Sequence, residues 1–296
     1  MNKIVVSLQG GLGNQLFQYA AGRTIAYKNN AMLFFDLTYF TNTPEGSTPR
    51  EYALTPFNLN IEVQQCDSKY KYLPGIAGKM LRKITKYFPF KKDGINIHHE
   101  KKPDFDPHII NLKPPSWING YWQSEKYFTE IAHIIRQEIG TPRALSLDSQ
   151  AMLETIKQHN AICIHIRRGD YISNATANAF HGSCDLQYYY NGISLIEKAE
   201  KNTHIFVFSD EPEWVKENFS WSTPTTIVDI NHSKNAHEDL WLMAACKHFV
   251  IANSSFSWWG AWLGNFPQKI VIAPKQWYTN TQISTKDLIP DSWVRL

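Results

Sequence analysis

Between residues 148 and 274 short apolar runs alternate regularly with runs of helical spacing, and this alternation narrows the choice of fold more than any other feature. The apolar runs fall at 161–166, 204–208, 226–230, 249–252 and 269–274, and they have the length and β-branched or aromatic content of strands. In the first of them Ile162, Ile164 and Ile166 alternate with Cys163 and His165. Helix-like stretches precede or separate them: 148–158, 186–200, a run opened by Pro212, 237–248, and a run carrying Trp258, Trp259 and Trp262. Strands joined through helices of this length imply right-handed crossovers and a parallel sheet, so the fold class is α/β.

In such a sheet ligands bind beyond the carboxyl ends of the strands. His165-Ile166-Arg167-Arg168-Gly169-Asp170-Tyr171 runs off the first strand, Ser209-Asp210 follows the second, and Asn253-Ser254-Ser255-Phe256-Ser257 follows the fourth and opens a helix. Arginine presents a planar fork of donors matched to phosphate oxygens. Serine hydroxyls beside the unpaired N–H groups of a helix start also suit an anion. Together these groups point to a phosphate clamp on one sheet edge. Taken singly, each has a plainer explanation as a solvated turn or a helix cap. Asp239, in the first turn of the helix before the fourth strand, is either a helix-dipole partner or an acceptor for a base edge such as guanine.

The first half opens with a strand at 4–8, the turn Gly10-Gly11-Leu12-Gly13-Asn14-Gln15, a helix from about 16 to 28, and a strand at 31–37 that carries Asp36. This is close to a dinucleotide-binding unit, but Leu16 stands where close packing wants Gly or Ala. A nicotinamide-dependent oxidoreductase therefore stays open as an alternative. The glycines let backbone N–H groups approach an anion, or simply make a tight turn. Residues 41–115 read as irregular, with Pro44, Gly46, Pro49 and Pro56. Within 79–102 lies a basic segment with apolar residues at helical spacing, a candidate for peripheral membrane contact or for a solvated helix face. Asp104-Phe105-Asp106 has the D-x-D form of a metal site, but Pro103 and Pro107 suggest a surface turn. The aromatic stretch 120–128 reads as a strand end entering a helix capped by Ser124. Thr141-Pro142-Arg143 reads as a linker, which places a domain boundary there.

A chain of 296 residues with 14% aromatic and 19% charged residues buries a full core. A net charge of +3 is too small to argue for nucleic acid. Cys66, Cys163, Cys184 and Cys246 form no C-x-x-C pair and suit a reduced, intracellular setting. The start lacks a signal-peptide core, and no window approaches the roughly 20 apolar residues of a membrane span. His98-His99 reads as a solvent-exposed pair pointing to opposite faces.

The stretches Gly10-Gly11-Leu12-Gly13-Asn14-Gln15-Leu16-Phe17-Gln18-Tyr19-Ala20, His165–Tyr171, Phe208-Ser209-Asp210 and Asn253-Ser254-Ser255-Phe256-Ser257-Trp258-Trp259-Gly260 resemble the motifs of the α-1,2-fucosyltransferases, in their bacterial branch without a membrane anchor. The resemblance implies a GT-B type fold, with a Rossmann-like acceptor-side domain at 1–145 and a Rossmann-like GDP-fucose-binding domain at 146–296. It implies inverting transfer of L-fucose from GDP-fucose to the 2-hydroxyl of a galactose-terminated glycan, in the cytoplasm or peripheral to the inner membrane. It implies no metal and no cofactor. Arg167 would hold the β-phosphate, supported by His165 and Arg168. Ser254 and Ser255 would contact the diphosphate, with Phe256, Ser209 and Asp210 in the same donor site. Asp239 would read guanine, and Gly13 and Asn14 would close from the first domain. Arg167, Asp170 and Asn14 are the candidate catalytic residues; Asp170 is chosen for its place beside the clamp, as base or as the partner that orients an arginine. A non-catalytic glycan-binding module with a tryptophan platform is the remaining alternative.

Overall fold

Two separate sheets, one wholly parallel and one parallel except for a single pair, account for the strand signals. The structure is a computed structural model that describes residues 2–41, 48–59, 61, 90–92, 94–140, 144–169, 175–231 and 235–296. The chain divides into two compact units, Met1–Ile139 with Ser284–Leu288, and Gly140–Ile283 with Ile289–Leu296. A single cut at 145/146 therefore misassigns Ser284–Leu288. That segment belongs to the first unit because Asp287 accepts hydrogen bonds there from Lys126 Nζ at 2.5 Å and from the Phe105 N–H at 2.9 Å. Neither bond is visible in local sequence.

In the first unit β1 (Lys3–Ser7), β2 (Met32–Asp36), β3 (Phe90–Lys92), β4 (Ile95–His99) and β5 (Ser116–Asn119) form a sheet in the order β2-β1-β5-β4-β3. All its pairs are parallel except β3 with β4. Ile4, Val5 and Val6 are at most 1% exposed, as expected of a parallel strand covered on both faces. Helix α1 (Leu12–Asn29) covers β1 with Leu16, Phe17, Ala20, Ala21 and Ile25. It starts four residues before the predicted point, because the glycine turn is already helical from Leu12 and Gly11 is its N-cap. Ser124 caps a 3-10 turn, Glu125–Tyr127, instead of an α-helix, and α2 (Ala132–Gly140) follows a second such turn. His98 and His99 lie in β4 and are half-buried, so they are not the exposed pair expected. Half of the basic segment 79–102, including Ile84 and Tyr87, lies outside the described residues.

In the second unit β6 (Asn160–Ile166), β7 (Thr203–Ser209), β8 (Thr225–Val228), β9 (His248–Val250), β10 (Val271–Ala273) and β11 (Val294–Arg295) lie in the order β8-β7-β6-β9-β10-β11, every pair parallel. Ile164 stands opposite Val207 on one side and Val250 on the other. The helices here are α3 (Leu147–Lys157), α4 (Ala175–His181), α5 (Leu186–Ala199), α6 (Pro212–Asn218), α7 (Ala236–Ala244) and α8 (Ser255–Leu263). Tyr189, Ile193 and Ile196 of α5 bury against Ile162, Ile164, Val250 and Ile272. Capping chemistry sets the helix starts: Asp185 accepts from the Tyr188 N–H at 2.7 Å, and Ser254 from the Phe256 N–H at 3.3 Å. The predicted helix at 237–248 ends at Ala244, since His248 already sits in β9 beside Ile162. Among the described residues no helix is long and apolar enough to cross a membrane.

Glycine admits α1 close to the first sheet. A Cβ on Gly22 would collide with Val6 Cγ2 and lie 3.1 Å from Leu33 Cδ1. Val6 is β-branched and fully buried, so it cannot swing aside. Gly22→Ala is therefore expected to destabilise the chain by about 1–3 kcal/mol through overpacking. That outweighs the roughly 1 kcal/mol gained in helix propensity. Urea denaturation checks this, and a more stable variant would contradict the packing.

Candidate functional site

The order of the second sheet reverses between β6 and β9. The chain leaves β6 toward β7 and β8 on one side, then returns to β9, β10 and β11 on the other. A crevice opens at such a reversal beyond the strand carboxyl ends. Arg167 is the first residue past β6, and Ser254 and Ser255 come four and five residues past the end of β9. The two motifs therefore flank the same point of the sheet.

Asp210, just past β7, organises the arginines. Its Oδ2 lies 3.1 Å from Arg167 Nη1, and its Oδ1 accepts the backbone N–H of Arg168 at 3.0 Å. Gly169 is required beside it, because a Cβ there would strike the Asp210 carboxylate. Arg167 and Asp210 keep 23% and 21% of their side-chain surface exposed, so the guanidinium is held in place yet still meets solvent. Arg168 points elsewhere. Its Nε donates to Glu211 Oε2 at 3.0 Å, and its guanidinium carbon lies 3.5 Å from the centre of the Trp214 ring. It braces the loop against α6. Ser209 Oγ accepts the Glu211 N–H at 3.0 Å, so that hydroxyl shapes the same turn. Asp170 lies outside the described residues.

His165, the penultimate residue of β6, is 4% exposed, and its ring centroid lies 5.6 Å from that of Phe256. Burial, aided by the Arg167 charge, lowers its pKa to about 3. The imidazole is therefore neutral across the working range, and its Nδ1 has no hydrogen-bond partner among the described residues. Ser254 and Ser255 sit at the start of α8, with Phe256 in its first turn. Asn253 ties that start in place, donating to the His181 carbonyl at 2.9 Å and the Trp277 carbonyl at 3.2 Å. Trp258, Trp259 and Trp262 are 0%, 0% and 4% exposed, so they fill core space and offer no sugar platform.

Asp239 belongs to a second cluster. Asn231 Nδ2 donates to its Oδ1 at 2.8 Å and to Ser149 Oγ at 3.1 Å. Burial pushes its pKa up to about 7, with Glu238 and Asp229 adding to the rise against the Asn231 hydrogen bond.

In the first unit Gly13 is buried in the first turn of α1, and Asn14 Oδ1 accepts from Gln123 Nε2 at 2.7 Å. Gln15, given no role of its own by the sequence alone, is fully buried. It donates to the carbonyls of Gly10 and Glu51 at 2.9 Å each and accepts the Ala53 N–H at 2.9 Å. Asp36 is engaged by its own chain, through Ser7 Oγ at 3.1 Å, the Thr38 N–H at 3.1 Å and Thr38 Oγ1 at 2.5 Å. An acid so occupied is poorly placed to take a ribose hydroxyl, which counts against the nicotinamide reading. Asp106 Oδ1 accepts the His108 N–H at 2.9 Å, as in a turn. Neither Asp104 nor Asp106 is in a group of three or more His, Cys, Asp or Glu among the described residues.

The profile of Glycosyl transferase family 11 matches residues 3–296. An α-1,2-colitosyltransferase of Escherichia coli is 35% identical over 303 residues, spanning 100% of this chain and 99% of its own. The O-antigen biosynthesis glycosyltransferase WbnK of Escherichia coli is 30% identical over 314 residues, spanning 98% and 99%. Among solved structures, the NodZ α-1,6-fucosyltransferase co-crystallized with GDP has a TM-score of 0.51 over 92% of this chain and 94% of its own, at 14% identity, a likeness of fold alone.

The elevated pKa of Asp239 has a measurable sign. A carboxylate raised in the folded state binds more protons there than in the unfolded chain between about pH 4 and 7. Its contribution to stability is thus lost as pH rises through that window. Asp239→Asn is expected to flatten that part of the Tm–pH curve and to raise Tm at pH 8. A variant whose curve still falls with the wild-type slope would refute the assignment.

Proposed function

The chain belongs to glycosyl transferase family 11, and on that basis we propose that it moves L-fucose from GDP-β-L-fucose to the 2-hydroxyl of a terminal galactose, with inversion. The observation that carries this reading is Arg167, fixed by Asp210 at the β6–β9 reversal beside the serine-capped start of α8. We propose further that the two units are the Rossmann-like halves of a GT-B type enzyme, and that the donor is held by the second. Arg167 then meets the β-phosphate, Ser254 and Ser255 donate to the diphosphate, and His165 and Phe256 line the same pocket. Ionised Asp239 accepts the N–H groups of the guanine edge.

In the reaction the galactose O2 attacks the fucosyl C1 as the C1–O bond to the β-phosphate breaks. The hydroxyl proton passes to a base, for which Asp170 is proposed, and GDP departs with the bonding pair. Negative charge grows on the β-phosphate as the sugar becomes oxocarbenium-like. A guanidinium already fixed at that point lowers the barrier by electrostatics, since little reorganisation is needed as the charge develops. This chemistry asks nothing of a metal ion. The free thiols of Cys163, Cys184 and Cys246 support a reducing, cytoplasmic setting.

A second donor has one observation in its favour, the 35% identical relative named for colitosyl transfer. Colitose is L-fucose without its 3-hydroxyl, so the two donors differ by one polar group. Rates with each GDP-sugar on a galactose-terminated acceptor, with the product linkage read by NMR, decide between them. Faster transfer of fucose supports the first reading, and absence of an α-1,2-linked product overturns both.

Arg167→Ala is expected to lower kcat by about 10²–10³, equivalent to about 2.7–4 kcal/mol of transition-state stabilisation. Wild-type turnover in that variant would remove Arg167 from the mechanism. Turnover is also expected to persist in EDTA. Its loss, with recovery on adding Mg²⁺ or Mn²⁺, would assign the phosphate charge to a metal instead.

A further inference from the structure

The chain leaving β5 makes a corner that does not follow from strand or helix propensity. Trp122 has a φ of 55°, a left-handed conformation that a bulky side chain adopts only when its surroundings impose it. The imposing group is Glu100, one residue past β4. Its carboxylate accepts the N–H of Tyr121 at 2.7 Å and of Trp122 at 2.9 Å. Gly120 makes room for it, because a Cβ there would collide with the Glu100 side chain. The Trp122 ring is 1% exposed, whereas its neighbour Tyr121 is 41% exposed. Gln123 then donates to Asn14 Oδ1 at 2.7 Å, tying the corner to the first turn of α1.

The position matters as much as the strain. β1 and β5 are neighbours, and the chain leaves β1 for β2 on the opposite side, so this corner stands where the first sheet reverses. The Trp122 indole N–H is buried without a hydrogen-bond partner among the described residues. The groups gathered are a phenol ring, two side-chain amides and a fixed backbone. This set suits a neutral, hydroxyl-rich ring better than a phosphate. An exposed aromatic takes the C–H face of a pyranose, planar amides take its hydroxyls, and a preset backbone reduces the ordering lost on binding.

We propose that this corner is the subsite for the terminal hexopyranose of the acceptor, with Tyr121 stacking on the sugar ring and Asn14 and Gln123 hydrogen-bonding its hydroxyls. Glu100 is a positioning residue that holds the corner and does not touch the sugar. The assignment rests on the glycosyl-transfer reading above.

Lactose is the probe, titrated by ligand-observed NMR onto the full chain saturated with GDP. Tyr121→Ala is expected to weaken lactose binding about tenfold, and Tyr121→Phe to bind close to wild type. Glu100→Gln is expected to weaken it as well, while the GDP-induced rise in Tm is unchanged in all three variants. Equal lactose affinity in Tyr121→Ala and wild type overturns the proposal, as does a wild type that binds no lactose. Failure of the donor reading shows separately, as a wild type whose Tm does not respond to GDP.

Discussion

Everything at the second sheet's edge depends on the Asp210 carboxylate, which grips the Arg167 side chain with one oxygen and the Arg168 backbone with the other. A partly exposed ion pair of this kind adds little to folding, about 0–1 kcal/mol. Its effect is geometric. Two arginines in sequence would otherwise sweep a wide volume, and Asp210 sends one toward the strand ends while Glu211 and Trp214 draw the other onto α6. Gly169 belongs to the same device, because any side chain there would displace the carboxylate. In the proposed transfer, charge that acts on a departing phosphate is useful only if it is already in place, so rigidity of this loop and chemistry at it would be one requirement.

Protonation follows from burial in the same region. His165 is adjacent to the arginines in sequence but enclosed, and its pKa of about 3 removes it from acid–base roles. Asp239 is displaced in the opposite sense, to about 7, so near neutral pH its carboxyl is divided between its two states. A donor group brought to that carboxylate favours its ionised form. Under the proposed guanine contact, part of the binding free energy would go into driving off that proton.

Much of the second unit was legible because β6, β7, β9 and β10 are largely buried and so read as plain apolar runs. Most of their ends fell within two residues of prediction, and Pro212 and Ser254 marked helix starts by known chemistry. The first unit was less legible for equally physical reasons. β4 offers only Ile95 and Ile97 as alternating apolar residues before His98 and His99, too short a pattern to stand out from its surroundings. The bonds that shape the candidate sites are non-local: Asp210 with Arg167 and Arg168, and Glu100 with the backbone of 121 and 122. Arg167, Ser254 and Ser255 could be marked from motif and position. The diversion of Arg168 onto Trp214, the bracing role of Gln15 and the left-handed Trp122 could not, because each depends on residues distant in sequence.

The return of Ser284–Leu288 to the first unit has an architectural consequence. The backbone passes between the units at 139/140, at 283/284 and again at 288/289, before Val294 and Arg295 pair with β10. Neither half is therefore a cassette that one scissor cut could lift out. A chain ending at residue 283 would take Asp287 from one half and the outermost strand from the other. Shuffling halves among relatives would have to transplant this short tail together with the front half, a constraint that binds the inheritance of the two units more tightly than their separate cores suggest.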